Sequence, residues 1–175
     1  TQWCSKWQLE LNTAKCGWLC FGDTSLNLHL TINGEMLSRL HTVVDLGLRY
    51  SDDLSFTEQI MKQTSKSQRL IGFITRNLHN SESRILMYKV CVRPLLEYCA
   101  FLLSSTRIKD KLRLESVQRR FTLRTLGTDS VLTYNSRCSK LGLDPLWMRR
   151  LKLNLLFFFK ILNKLSFTSS QAIQY

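Results

Sequence analysis

The stretch that decides the fold is residues 108–127, IKDKLRLESVQRRFTLRTLG. Its apolar residues recur with the period of about 3.6 residues that is typical of an α-helix. At about 100° per residue, the apolar side chains form two rows that flank one narrow basic stripe. Gly127 ends the pattern, since glycine readily adopts the positive φ of a helix terminator. The stretch predicts a helix over 108–126 that packs on two sides and leaves a basic ridge open. The ridge consists of Lys109, Arg113, Arg120 and Arg124.

A second basic stripe precedes this helix. From about residue 55, apolar and small residues recur at spacings of four and three, which predicts one long amphipathic helix. Its expected inner face consists of Phe56, Ile60, Thr64, Ser67, Ile71, Ile74 and Leu78. Its basic stripe consists of Lys62, Lys66, Arg69 and Arg76. Two basic stripes on two of the predicted helices favour contacts with nucleic-acid phosphates over the alternative of solvated charged edges.

Two further helices are predicted. The first begins near residue 81, and Pro94 should kink or split it because proline removes a backbone donor. Its shared face is Ile85, Tyr88, Val92, Leu95, Cys99 and Leu102. The last helix begins with Asp144 as N-cap and Pro145 in the first turn. The side chains that it is expected to bury are Trp147, Leu151, Leu155, Phe158 and Leu162.

The N-terminal third carries strand signals. An apolar run at 18–21 precedes strict alternation over 26–32, then Asn33-Gly34, a pair that favours a tight hairpin turn. A third run at 43–50 is expected to complete a small antiparallel sheet. The predicted fold is mainly α: a small antiparallel β-sheet or hairpin over 1–54, a helical bundle over 55–167, and a frayed tail over 168–175.

Charge restricts the class of partner. The 175 residues include 25 Lys and Arg against 13 Asp and Glu, a net charge of +12. Residues 107–164 alone carry 14 basic against 4 acidic residues. A polyanion is therefore the natural partner. The longest apolar run of the C-terminal part, residues 155–159, is far shorter than the about 20 residues that cross a bilayer, so we expect no membrane partner.

Signals for catalysis or metal binding are weak. The sequence has no nucleophile elbow and no phosphate-binding loop, and its three histidines stand isolated. Six cysteines without a CxxC pair are typical of reduced intracellular thiols, and Cys16 and Cys20 lack a second zinc half-site. Residues 50–53, Tyr-Ser-Asp-Asp, contain paired carboxylates that could hold two metals. Because no third carboxylate lies suitably upstream, we interpret Asp52 and Asp53 as a turn and predict no metal site.

Five motifs, taken together, are similar to a known family. They are 7–16 (WQLELNTAKC), 45–47 (DLG) with 54–56 (LSF), 92–98 (VRPLLEY), 115–121 (ESVQRRF), and 141–143 (LGL) with 149–150 (RR) and 159–163 (FKILN). In this order they resemble the C-terminal part of the reverse transcriptase of LINE-type, non-LTR retrotransposons. The family commonly has Trp-x-Pro after the Val-Arg-Pro helix, where this chain has residues 102–105, LLSS.

The resemblance implies roles for several residues. Lys15 resembles the lysine proposed to protonate the leaving pyrophosphate as general acid. Leu46 and Gly47 resemble part of the primer grip, and the helices resemble the thumb that clasps the template–primer duplex. The family's metal-binding carboxylates precede residue 7, which again makes Asp52 and Asp53 a turn. No cofactor is then expected on this chain, and Mg²⁺ is expected only in the full-length parent enzyme.

The resulting hypothesis is a fragment of an RNA-directed DNA polymerase that grips the primer and clamps the RNA/DNA duplex through its phosphates. It should be inactive alone and should work with the upstream palm and fingers, inside the cell in nucleus and cytoplasm. The alternatives are a non-catalytic basic helical module that binds a protein, and a non-functional retroelement relic.

Overall fold

The computed structural model describes residues 2–22, 28–127 and 131–165. The chain divides into two units, Thr1–Phe56 and Thr57–Tyr175, and each is described by itself. The sequence-predicted boundary stands at 54/55, and the predicted tail over 168–175 lies outside the described residues. In the first unit the elements are α1 (Gln2–Lys6), a 3₁₀ turn (Thr13–Lys15), β1 (Gly17–Trp18), β2 (Thr31–Ile32), β3 (Glu35–Met36), β4 (Ser38–Arg39), β5 (Thr42–Asp45) and β6 (Leu48–Ser51).

The strands pair two by two. β2 and β3 form an antiparallel hairpin whose turn is Asn33-Gly34, both with positive φ, which confirms that prediction. β5 and β6 form a second antiparallel hairpin, and β1 pairs with β4 in parallel. The expectation of one continuous sheet is wrong, because strands of two to four residues end in turns before a third strand can join. The run at 43–50 is itself a hairpin that turns at Leu46-Gly47, and residues 26–27 lie outside the described part.

The second unit is helical. Its elements are α2 (Thr57–Asn77), α3 (Ser81–Met87), a π-helical turn (Tyr88–Val92), α4 (Arg93–Glu97), a 3₁₀ turn (Leu102–Ser105), α5 (Ile108–Leu126), α6 (Tyr134–Lys140) and α7 (Leu146–Leu162). The fold is thus mainly α with a small N-terminal β region, as predicted.

The central packing is between α2 and α5. α2 buries Ile60, Ile71 and Ile74 on the predicted face, and α5 buries Leu114, Val117 and Phe121. α5 ends at Leu126, where Gly127 adopts a φ of 87°. α2 therefore matches its predicted inner face. The prediction that α5 packs on two sides is only half right, because Ile108 and Leu112 of its other apolar row are 76% and 57% exposed.

The helical segment that contains Pro94 differs from its prediction. A π-helical turn over Tyr88–Val92 precedes the proline, whose missing N–H leaves one carbonyl without its usual helical donor. A π turn adds one residue to the helical repeat, so the next buried position within α4 moves one place along the chain. α4 then ends at Glu97, and the chain leaves the α-helix before the next buried residues. Leu96, Ala100 and Leu103 are buried instead of the expected Leu95, Cys99 and Leu102.

α7 is rotated relative to its prediction. The five side chains expected inside, Trp147, Leu151, Leu155, Phe158 and Leu162, are all exposed. The inward face consists of the residues one position earlier in each turn, Leu146, Arg150, Asn154, Phe157 and Ile161. One residue corresponds to a rotation of about 100°. In the described part of the chain, no helix is both long and apolar enough to cross a membrane.

Candidate nucleic-acid interface

The acidic residues of α5 are buried, whereas its basic residues lie at the surface. Its two acids are buried, Asp110 with 1% and Glu115 with 6% of their surface exposed. Asp110 accepts a hydrogen bond from Thr57 Oγ1 at 2.9 Å and contacts the Arg113 guanidinium at 3.5 Å. The cations of the helix lie at the surface, with Arg113 partly covered by its ion pair. One side of α5 therefore presents the predicted stripe, Lys109, Arg113, Arg120 and Arg124, with no exposed carboxylate. Lys111 and Arg119 are also exposed, but they flank Glu115 on the other side of the helix.

The four predicted cations of α2 are also exposed. Lys62, Lys66, Arg69 and Arg76 project from the side of the helix opposite its buried residues. Because each helix packs against its neighbours with a different face, its basic stripe remains exposed to solvent. Among the described residues, no hydrogen bond or ion pair joins one stripe to the other.

Glu115 fixes the start of α7 from across the bundle. Its Oε1 accepts a hydrogen bond from the backbone N–H of Leu146 at 3.1 Å, and its Oε2 accepts one from Trp147 at 2.8 Å. The Tyr134 hydroxyl donates a further bond to Oε1. The prediction that Asp144 is the N-cap is wrong: Pro145 holds that position, and Asp144 pairs with Lys152 at 3.2 Å. A carboxylate from a distant helix satisfies the first N–H groups instead.

A buried polar network supports the same region. The Tyr88 hydroxyl donates to Gln118 Oε1 at 2.8 Å, and Gln118 Nε2 donates to the Asp144 carbonyl at 2.8 Å. The Tyr88 ring stacks on Phe121 with centroids 4.2 Å apart. Burial, followed by the nearby Glu115 carboxylate, raises the pKa of the Tyr88 hydroxyl far above its ordinary value. Tyr88 therefore stays neutral and holds Gln118 in place.

Arg149 ties α7 to α4. Its guanidinium donates two hydrogen bonds to the Glu97 carboxylate, one from Nη2 at 3.2 Å. These bonds raise the pKa of Arg149. Sequence reasoning missed this pair, because its members stand 52 residues apart.

The predicted residues of the first unit lie in turns. Lys15 ends the exposed 3₁₀ turn. Leu46 and Gly47 form the tip of the β5–β6 hairpin, and the Leu46 side chain is 88% exposed. Leu46 adopts a φ of 47°, which is strained for a residue with a branched side chain. The hairpin thus displays an apolar side chain on a strained tip.

Asp52 and Asp53 lie in a turn, as predicted. Asp52 pairs with His41 Nδ1 at 2.8 Å. Asp53 accepts hydrogen bonds from Ser51 Oγ and from the backbone N–H of Ser55, the latter at 2.8 Å. Because the two carboxylates serve separate local contacts, these residues do not fit a two-metal site. Nowhere in 2–22, 28–127 or 131–165 do three or more His, Cys, Asp or Glu side chains cluster as metal ligands.

Comparison with protein-family models, curated proteins and solved structures finds no match for this chain. Its function therefore rests on the residues and contacts described above.

Proposed function

We propose that this chain is the palm-end, primer-grip and thumb portion of a reverse transcriptase of the LINE type. In this proposal its helical unit binds an RNA/DNA template–primer duplex through the phosphates. The observation that carries the proposal is the basic stripe of α5, where Lys109, Arg113, Arg120 and Arg124 lie at the surface on one side and both acids of the helix are buried.

The chemistry of this surface suits a phosphate backbone. Lysine and arginine that neutralise phosphates release condensed counterions, which supplies affinity without reading the bases. Arginine additionally donates in a planar fork that matches phosphate oxygens. Arg120 and Arg124 stand one turn apart and are both exposed, so one strand of backbone can contact both.

The first unit supports the proposal at the primer end. The strained, exposed tip of the β5–β6 hairpin, Leu46-Gly47, is suited to contact a primer terminus. Lys15 is exposed in its turn, and its ammonium group is the proposed proton donor to pyrophosphate. Because Asp52 and Asp53 do not fit a metal pair, carboxylates elsewhere in the parent enzyme hold Mg²⁺ in this proposal.

Variants in which neutral side chains replace cations test the proposal. Replacement of Arg120 and Arg124 by glutamine should weaken binding of an RNA/DNA hybrid by about tenfold or more, since each removes a phosphate contact. The matched control replaces Lys160, near the end of α7, and Lys164, just beyond it, by glutamine. Both lysines are exposed, and the net charge changes by the same amount. Fluorescence anisotropy with a labelled hybrid measures the affinity of each variant. Equal losses in the two variants would make the attraction a general charge effect and would refute the α5 interface.

A second candidate function is a non-catalytic module that binds a protein partner. The apolar side chains on the outward face of α7, among them Leu155, Phe158 and Leu162, favour it, because such faces commonly mark protein contacts. A protein-binding module predicts weak hybrid binding that neither pair of substitutions changes.

A further inference from the structure

A cavity of about 360 Å³ lies between α5, α7 and the 3₁₀ turn at residues 102–105. Its walls are partly apolar, with Leu103, Leu114 and Leu146 buried around it and Trp147 at its edge. Its polar lining includes Lys111, Glu115 and Arg150. Sites for small molecules typically have about 300–1,000 Å³, apolar walls and a few polar groups. The cavity has these properties.

Arg150 is the unusual member of this lining. It is only 8% exposed, yet it makes no hydrogen bond or ion pair with any residue in the described part of the chain. Its neighbour Arg149, by contrast, is paired with Glu97. Burial lowers the pKa of Arg150, and the negative charges of Glu115 and Glu97 offset this effect only in part. A buried guanidinium is costly unless an anion accompanies it.

Glu115 lines the same cavity and its negative charge attracts Arg150, but no hydrogen bond or ion pair joins the two side chains. Both of its oxygens already accept hydrogen bonds, from the first N–H groups of α7 and from Tyr134. Lys111 adds a second cation at the cavity wall. One turn after Arg150, Asn154 also lines the cavity, and its buried Oδ1 has no hydrogen-bond partner within the described ranges. This side of α7 therefore presents the Arg150 guanidinium and the Asn154 Oδ1 to the cavity, both without a hydrogen-bond partner among the described residues.

We propose that this cavity binds a small organic anion, with a carboxylate or phosphate monoester on Arg150 and an apolar, planar body against the leucines and Trp147. A bare inorganic anion would pair with Arg150 but would leave the apolar walls unfilled. The proposal does not depend on nucleic-acid binding, because Arg150 is buried and does not belong to either exposed stripe.

Calorimetric titration of the full chain with three probes of one shape tests the proposal: 2-naphthoate, 2-naphthyl phosphate and the neutral 2-naphthamide. At least one anion should bind about tenfold or more tightly than the amide, because a charge-assisted pair forms only with the anion. The tighter of the two anions identifies the ligand's charged group. Anions that bind no better than the amide, or no binding by any probe at millimolar concentration, would overturn the proposal.

Variants assign the effect to Arg150. Arg150→Met should abolish the preference for anions, whereas Lys160→Met, an exposed cation on the same helix, should retain it. We expect Arg150→Met to fold with an unchanged or higher melting temperature, since it removes an unpaired buried charge. Should that variant fail to fold, Lys111→Met provides the second test and should weaken anion binding severalfold. If the Arg150→Met variant, or Lys111→Met in its place, still binds the anions as tightly as the original chain, the proposed site is wrong. A folded Arg150→Met variant should bind the RNA/DNA hybrid as tightly as the original chain.

Discussion

Glu115 joins three elements through hydrogen bonds to the start of α7 and to Tyr134 on α6. A carboxylate at a helix N-terminus also interacts favourably with the helix dipole. This single side chain therefore determines where α7 begins and how it sits against α5.

We predict that Glu115→Ala lowers the free energy of unfolding by about 3 kcal/mol, because it leaves several buried donors without an acceptor. Urea denaturation measures the change. The control, Glu82→Ala, removes an exposed carboxylate and should cost less than about 1 kcal/mol. Similar losses in both variants would contradict the role of Glu115.

Tyr88 gives the helical unit a predictable response to alkali. Because its pKa is raised in the folded state, the folded chain retains this proton at pH values where the unfolded chain loses it. Its contribution is complete below the unfolded value near pH 10 and falls by about 1.4 kcal/mol per pH unit as pH rises further. Tyr134, whose pKa is raised by burial and by its hydrogen bond to Glu115, contributes a fall in the same direction. The free energy of unfolding, measured against pH for the original chain and for Tyr88→Phe, tests this prediction. An unchanged alkaline slope in Tyr88→Phe would assign the effect to other groups.

At the scale of elements, α7 is a helix whose sequence allows more than one orientation. Apolar residues occupy both the predicted and the observed inner faces, since the stretch includes LNLLFFFKIL at 153–162. Phe157 contacts Phe101 with ring centroids 4.2 Å apart, and Glu115 fixes the first turn. These contacts to other elements select the orientation.

We predict that Leu146→Ala costs about 2–5 kcal/mol of unfolding free energy, because Leu146 is fully buried. Leu155→Gln should change stability by less than about 0.5 kcal/mol, since its side chain is exposed. Thermal and urea denaturation measure the change in unfolding free energy for each variant. A large loss for Leu155→Gln would mean that the helix is rotated back to the face expected from sequence.

The elements differ in how far sequence could predict them. The inner face of α2 follows from local periodicity, and the end of α5 follows from Gly127. Periodicity also predicted two packing rows on α5, but only the row of Leu114, Val117 and Phe121 is buried, because the number of packing partners is set by other elements. The π-helical turn before Pro94 could not be predicted, because a shift of one residue is set by packing around Tyr88 and Val92.

The candidate interface was predictable to a similar extent. The cations of each stripe are visible from spacing alone, whereas the burial of Asp110 and Glu115 depends on partners that are 53 and 31 residues distant. Arg150 was identified only as part of a motif, because its isolation in a cavity depends on three separate elements.

At the scale of the whole molecule, charge is distributed unevenly. The excess of basic residues is concentrated at 107–164, where Asp110 and Glu115 are buried and Asp144 is paired with Lys152. Asp129 lies outside the described residues. The surface cations of this region therefore act with little compensation from nearby acids, and a polyanion experiences a field that extends about one Debye length, roughly 10 Å at 0.1 M salt.

The salt dependence of hybrid binding tests the central claim most directly. If the helical unit contacts about four to six phosphates, the logarithm of the binding constant should fall with the logarithm of salt concentration at a slope of about −4 to −5. Anisotropy titrations of an RNA/DNA hybrid between about 50 and 300 mM salt measure this slope. A slope near zero, or no hybrid binding at low salt, would contradict a phosphate-binding function for this chain.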